Sequence, residues 1–308
     1  MLKYIISKLI SLIVILFAVS ILVFLMVHLI PGDPVLNMLG LQAPPEAVQA
    51  TRDKLGLNDP LPVQYRNFVA NIMQGDFGVS IRTKKPVLDE ILGRYRYTLI
   101  LAVGGTLVAA LVGIIIGIVS AVKQNKFLDN FLMVFSLLSV STPSFFLAIL
   151  FILVFSLYLG WFPSIGMYSA KHYVLPIFAL GMQSVGLIAR MTRSAMLEVL
   201  REDYVRTALA KGVPRYRVIM HHALRNALIP IITILGLRFG GLLAGSALIE
   251  SVFAIPGIGR LMIDAVLTRD YPVVQSTVLV MSSTFVIINS IVDILYRFVD
   301  PRIHYNKG

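Results

Sequence analysis

The feature that most constrains this chain is a run of 22 residues, 9–30, that contains no charged side chain. As an α-helix this run would extend about 33 Å, which is enough to cross a hydrocarbon core of about 30 Å. A cleaved secretory signal is the less favoured alternative, because the apolar run exceeds the usual length of about 7–15 residues and no small-residue cleavage site follows it. The sequence therefore predicts a membrane-spanning helix near the N-terminus.

Five further apolar runs of spanning length follow, at residues 97–122, 131–159, 174–193, 229–250 and 273–297. Hydrophobic residues make up 57% of the chain and charged residues 14%, whereas soluble domains average about 45–50% and about 25%. This balance excludes an aqueous globular domain and a disordered chain. We expect an all-α polytopic membrane protein with six transmembrane helices.

Positive charges concentrate in segments that six crossings would place on one side of the membrane. Lys123 and Lys126 lie between the second and third runs, residues 190–225 hold eight lysines and arginines, and both ends of the chain are basic. Since short basic loops stay in the cytoplasm, both termini are expected to be cytoplasmic. The net charge of +11 then reflects topology, and no nucleic-acid partner is expected.

The 31–96 segment between the first two runs has the features of an ordered subdomain. The sequence PGDP at 31–34 would end the first helix, residues 45–55 and 63–73 have helical periodicity, and the sequence GDFG at 75–78 favours turns. The chain is accordingly divided into an N-terminal transmembrane helix at 1–30, an extracytoplasmic loop subdomain at 31–96 and a five-helix core at 97–308.

Small residues predict where helices approach closely. They recur at every fourth position of the second run, at Gly105, Ala109, Gly113, Gly117 and Ala121, and the fifth run has the spaced pairs Gly236/Gly240 and Gly241/Gly245. Such ridges are expected to contact other helices of this chain or of a partner. Pro143, inside the overlong third run, predicts a kink or a tilt.

Residues 196–230, called the elbow below, form the most informative segment. Leu197, Leu200, Tyr204 and Ala208 would share one face of a helix that ends at Gly212, and Pro214 starts a second helix. The pattern predicts a helix–glycine–helix unit that projects from the membrane into the cytosol. An amphipathic helix resting on anionic lipid accounts for the same pattern and stays an alternative.

Catalytic machinery is not visible in the sequence. It contains no cysteine and no metalloprotease, hydrolase or P-loop motif, so an enzyme is disfavoured and no metal or cofactor is expected. Arg238 lies near the middle of the fifth run, where a lipid-facing guanidinium is costly, so it should face a translocation pathway or an internal partner. Glu250, Asn289 and Asp293 are interpreted as structural polar contacts.

Two sequences in the elbow, EDYVRTALAKG at 202–212 and HALRNALIP at 222–230, resemble the EAA loop of binding-protein-dependent ABC importer permeases. The chain is most similar to the first permease of the pair in the dipeptide/oligopeptide/nickel branch. Arg225 stands where many permeases have proline, and the acidic residue of the general motif is absent. The similarity extends along the chain to PGDP at 31–34, GDFG at 75–78, ESVF at 250–253, PGIG at 256–259 and RDYP at 269–272.

The resemblance implies a type I importer permease fold with a cytoplasmic coupling helix, in the cytoplasmic membrane of a prokaryote. It implies a second homologous permease, an extracytoplasmic solute-binding protein and two ATP-binding subunits that hold ATP and magnesium. The solute would be a di- or oligopeptide or a related small solute such as glutathione or nickel. Coupling contacts would fall on Asp203, Tyr204, Arg206, Thr207, Ala208, Lys211 and Gly212.

A stand-alone secondary transporter or channel is the alternative function. Such a protein needs ion-coupling carboxylates at the middle of the membrane. The sequence offers only Glu250 and Asp293, which both lie near the ends of their runs.

Overall fold

The computed structural model describes residues 2–29, 34–40, 42–54 and 56–299 of the chain. The described part is α-helical apart from turns and an isolated bridge between Val79 and Pro86, so the all-α prediction is confirmed. Its α-helices are α1 Leu2–Leu29, α2 Pro34–Leu39, α3 Pro45–Lys54, α4 Leu61–Met73, α5 Val87–Val122, α6 Phe127–Ser141, α7 Ser144–Phe151, α8 Lys171–Val199, α9 Asp203–Ala210, α10 Arg215–Arg217, α11 Leu224–Val252, α12 Ile258–Leu267 and α13 Tyr271–Val299. Two π-helical segments, Ile152–Tyr158 and Val218–Ala223, extend α7 and join α10 to α11.

Five helical stretches among the described residues are long and apolar enough to cross a membrane. They are Ile6–Met26, Val87–Val122, Lys171–Val199, Arg215–Ala244 and Tyr271–Val292. The third predicted run is divided into Phe127–Ser141 and Ser144–Tyr158, which meet at 105° and would make a sixth span as a bent pair. The predicted kink is confirmed. Thr142 is held extended before Pro143, as the ring of a proline requires of the preceding residue.

The chain divides into two compact units, of which the first comprises Met1–Tyr97 and Pro256–Ile287. Within it, the ring of Tyr65 on α4 lies 5.4 Å from that of Phe24 on α1, and its hydroxyl is 2.7 Å from the hydroxyl of Ser20. The predicted helices of the 31–96 segment are confirmed as α3 and α4. Of the predicted break at 31–34, residues 31–33 lie outside the described residues.

A carboxylate anchors the bridged loop at 79–86 in the first unit. Asp270, directly before α13, accepts hydrogen bonds from the Ser80 hydroxyl at 2.6 Å, the Ile81 amide at 3.1 Å and the Arg82 amide at 3.2 Å. The hydroxyl of Ser276 on α13 also donates to the carbonyl of Phe77 at 3.1 Å. The sequences GDFG and RDYP therefore meet although about 190 residues separate them.

The second unit comprises Thr98–Ile255 and Ile288–Gly308 and is built around α8. α6, α7 and α11 pack against α8, and α5 meets it along the predicted small-residue ridge. A Cβ added at Gly113 would lie 2.7 Å from the Cβ of Ile188, and one added at Gly117 would lie 2.7 Å from the carbonyl of Ala189. The prediction that this ridge contacts another helix is therefore confirmed.

The ridge of the fifth run is divided in its contacts. Gly236 abuts Val292, so that a Cβ there would collide with it. A Cβ added at Gly241 would meet no atom of the described neighbouring elements within 4 Å. The side of Gly245 lies outside the described side chains. Gly236 therefore packs inside the second unit, whereas no described neighbouring element packs against Gly241 on the surface of α11.

Candidate functional site

The elbow has a well-defined hairpin geometry. α8 ends at Val199, α9 spans Asp203–Ala210, and Gly212 adopts a φ of +79°. The Val213 amide donates to the Ala208 carbonyl at 3.1 Å and the Gly212 amide to the Leu209 carbonyl at 3.0 Å. These two bonds form a Schellman motif, in which the residue that ends the helix is left-handed, a conformation that costs glycine least.

The predicted continuous helical face from Leu197 to Ala208 is wrong. The helix is interrupted at 200–202, where the Leu200 amide bonds to the Met196 carbonyl and the Glu202 amide to the Val199 carbonyl. Because the interruption changes the rotation of α9, Val205 becomes the inward residue and is 2% exposed. Tyr204 is exposed instead.

The second arm of the elbow differs from its prediction as well. In the sequence the elbow (196–230) and the fifth run (229–250) meet at Pro230, but Pro230 lies inside α11. The stretch Arg215–Ala244 is one helical span. A movement of the elbow would therefore be transmitted along one continuous helical span.

The residues predicted for coupling form an outward surface of the elbow. Ala208 is half-buried, and the others are exposed: Asp203, Tyr204, Arg206, Thr207, Lys211 and Gly212. Arg206 and Asp203 are 3.8 Å apart in an exposed pair, which contributes little to stability. The Tyr204 hydroxyl accepts a hydrogen bond from Asn226 Nδ2 at 2.7 Å, which links α9 to the start of α11.

A cavity of about 430 Å³ lies behind this outward surface. Val122 and Gln124, at the end of α5, form one wall, and Val205 and Arg215 contribute to the elbow side. The end of α5 and the elbow therefore lie at the same end of the second unit.

A buried polar cluster next to the elbow was missed by the sequence reasoning. Asp129, which is 1% exposed, accepts bonds from Arg193 Nε at 2.8 Å and Nη2 at 2.7 Å. The Ser120 hydroxyl and the Asn125 amide, the latter at 2.9 Å, complete its surroundings. The sequence signal that could have found it is that Asp129 and Arg193 are opposite charges near the ends of otherwise apolar helices.

Arg238 is exposed on α11. No acidic side chain among the described residues lies within ion-pair distance of it. The internal ion pair considered for it is therefore not found within the described part of the chain.

Of the other polar residues singled out in the sequence, Glu250 makes the structural contacts expected of it. Glu250 is fully buried and accepts hydrogen bonds from Thr98 at 2.7 Å and Ser246 at 3.0 Å, as a structural contact would. The amide oxygen of Asn289 is buried without a hydrogen-bond donor among the described residues, and the side chain of Asp293 lies outside them. No group of three or more potential metal ligands occurs among the described residues.

Comparison with known proteins gives consistent results across the chain. Residues 113–305 match the family described as binding-protein-dependent transport system inner membrane component, and residues 1–102 match the corresponding N-terminal family. The glutathione transport system permease protein GsiC of Escherichia coli (strain K12) is 45% identical over 99% of this chain and 100% of its own length. The GsiC protein of Shigella dysenteriae serotype 1 (strain Sd197) gives the same values.

Solved structures support the same fold. An inward-facing structure of the MetNI methionine ABC transporter matches with a TM-score of 0.58 and 21% identity, covering 68% of this chain and 96% of that one. Permeases of ABC importers function with ATPase subunits, a second permease and a solute-binding protein in a bacterial inner membrane. This chain belongs to the binding-protein-dependent transport system inner membrane component family and is a transmembrane, non-catalytic permease subunit of an ABC importer.

Proposed function

We propose that this permease imports small peptides of the glutathione class. The observation that carries the proposal is the 45% identity to permeases named for glutathione transport, over 99% of the chain. Longer peptides and nickel, which the branch resemblance also allowed, become the competing solutes. This chain would form one half of the pathway, and a second homologous permease would form the other.

Energy would come from two separate ATP-binding subunits, which would bind ATP and magnesium. An extracytoplasmic solute-binding protein would deliver the peptide. This chain would bind no cofactor of its own, and its contribution would be mechanical.

The orientation follows from the charges at the elbow end of the second unit. Lys123 and Lys126 are exposed in the α5–α6 turn, and Arg201, Arg206 and Lys211 are exposed in the elbow. A cavity between the end of α5 and the elbow supports their location on one side of the membrane. By the positive-inside rule that side would be cytoplasmic, and six crossings would put both termini there as well.

Coupling would occur at the outward surface of the elbow. Asp203, Tyr204, Arg206, Thr207, Ala208, Lys211 and Gly212 would contact the ATPase. The buried side chain of Val205 holds α9 in place, and the hydrogen bond between Tyr204 and Asn226 links α9 to the start of α11. Closure of the ATPases on ATP would then rotate α11.

Arg238 would lie on the translocation pathway. Its exposure on α11 and its lack of an ion-pair partner among the described residues support a contact outside this chain. A guanidinium at this depth of the span would attract a peptide carboxylate. Replacement by Met should lower uptake without disrupting assembly, whereas Arg238→Lys should retain part of it because the charge is kept.

Reconstitution of the complete importer tests the function. The chain is purified with its second permease, ATPases and binding protein and placed in proteoliposomes, and uptake of labelled glutathione, a dipeptide and nickel is compared with and without ATP. We expect ATP-dependent glutathione uptake that competes with small peptides. ATP-dependent uptake of nickel alone would refute the solute class, and uptake by this chain without the ATPases would favour the stand-alone transporter.

A further inference from the structure

Asp129, in the first turn of α6, accepts hydrogen bonds from three other elements at the elbow end of the second unit. Ser120 belongs to α5, Asn125 to the α5–α6 turn and Arg193 to α8, about two turns before that helix ends at Val199. Both carboxylate oxygens are engaged: Oδ1 by Ser120 and Arg193 Nε, and Oδ2 by Asn125 and Arg193 Nη2. The proposed coupling mechanism gives this cluster no role.

We propose that Asp129 and Arg193 are a positioning pair that makes the α5–α6 turn move as one body with α8 and the elbow. The inference rests on the proposed coupling role of the elbow and extends the driven unit to the turn. α5, whose small-residue ridge packs on α8, would then be displaced together with the elbow.

The geometry favours positioning over a contribution to stability alone. A two-point guanidinium–carboxylate contact fixes direction as well as distance, which a single-point lysine contact does not. Such a pair adds little net stability compared with an apolar pair in its place. Its presence is therefore better explained by fixing the position of the α5–α6 turn relative to α8.

The cavity beside the elbow strengthens this interpretation. Val122 and Gln124 face the elbow residues Arg201 and Arg215 across about 430 Å³ that side chains leave unfilled. Close packing therefore constrains the turn and the elbow incompletely there. The Asp129–Arg193 pair supplies a directional connection on the α8 side.

Distance measurements in the assembled importer test the proposal. Since the chain contains no cysteine, spin labels can be placed at Lys126→Cys in the turn and Ala210→Cys in the elbow, both exposed. A second pair, Ala210→Cys and Met73→Cys in the first unit, both exposed, reports whether the elbow moves within the chain. Both pairs are measured in nucleotide-free and ATP-trapped complexes.

In the native background, ATP should change the 73–210 distance and leave the 126–210 distance unchanged. In Arg193→Lys, the 126–210 distribution should broaden and become sensitive to ATP. The number of ATP molecules hydrolysed per glutathione imported should rise by about fivefold or more, because the two-point contact between Asp129 and residue 193 is lost. Ser120→Ala, which removes one donor and keeps the ion pair, is the matched control and should resemble the native chain.

Each outcome separates the two proposals. If the 73–210 distance does not respond to ATP in the native importer, the coupling role of the elbow fails. If it responds and Arg193→Lys matches the native chain in distances and ATP ratio, the positioning pair is refuted. If Arg193→Lys fails to assemble, the double variant Asp129→Cys/Arg193→Cys replaces it. The number of ATP molecules hydrolysed per glutathione should be raised in this variant and should return to the native value after a short bis-thiol reagent joins the two cysteines. A number that is not restored would overturn the proposal.

Discussion

Asp129 and Asp270 are both almost completely buried, at 1% and 3% exposure, but their partners differ in charge. Asp129 in the second unit faces the guanidinium of Arg193, whereas Asp270 in the first unit is held by a hydroxyl and two backbone amides. Each carboxylate fastens a connecting segment to a helix. The difference indicates that Asp129 links side chains of elements that could move, while Asp270 fixes the backbone of one loop.

The largest loss of stability should follow Asp129→Ala. The substitution leaves the guanidinium of Arg193, whose side chain is 25% exposed, without its carboxylate, and breaking a pair of this kind costs up to about 3 kcal/mol. Denaturation of the purified permease pair in detergent measures the change. Equal stability of Asp129→Ala and the native chain would remove the distinction between the two carboxylates.

Packing of α5 on α8, next to the Asp129 cluster, gives a second test. Gly117→Ala should destabilise the chain by about 2 kcal/mol, because the added Cβ would lie 2.7 Å from a backbone carbonyl. Gly241→Ala is the matched control, since no described neighbouring element has an atom within 4 Å of the added Cβ. It should leave the stability of this chain unchanged. A comparable loss from both variants would contradict the difference between a packed and an open glycine.

Asp270→Asn should have a smaller and more local effect than Asp129→Ala. The asparagine side chain keeps one acceptor oxygen, but its NH2 group would face hydrogen-bond donors of the 79–86 loop. This mismatch should lower the free energy of unfolding by about 1–2 kcal/mol. Hydrogen exchange at Ile81 and Arg82 should accelerate, while exchange in α9 should not change. Faster exchange at the elbow would show that the Asp270 anchor is not confined to its loop.

Local patterns predicted the helices and turns of this chain well. Period-four glycines marked the α5–α8 contact, and Gly212 marked the end of α9. The apolar runs predicted the spanning helices, although α5 begins at Val87, ten residues before the run that predicted it. These features depend on a few neighbouring residues and on helical periodicity, so a single sequence contains them.

Features that depend on tertiary contact were not predictable. Asp129 and Arg193 are 64 residues apart, and no local pattern pairs them. Pro143 predicted a kink, but the 105° bend also involves packing of α6 on α8, where the Ser139 hydroxyl donates to the Met182 carbonyl at 2.8 Å. The rotation of α9 depended on the interruption at 200–202, which periodicity alone did not reveal.

The most direct test of the account is to compare ATP hydrolysis and glutathione uptake in importers that carry Gly212→Pro or Gly212→Asn. Proline cannot adopt the φ of +79° at this position, whereas asparagine tolerates the left-handed region. We predict that Gly212→Pro abolishes uptake while membrane insertion and ATP hydrolysis persist, and that Gly212→Asn retains uptake. Native uptake by the Gly212→Pro importer would contradict the claim that the elbow transmits the force of the ATPases.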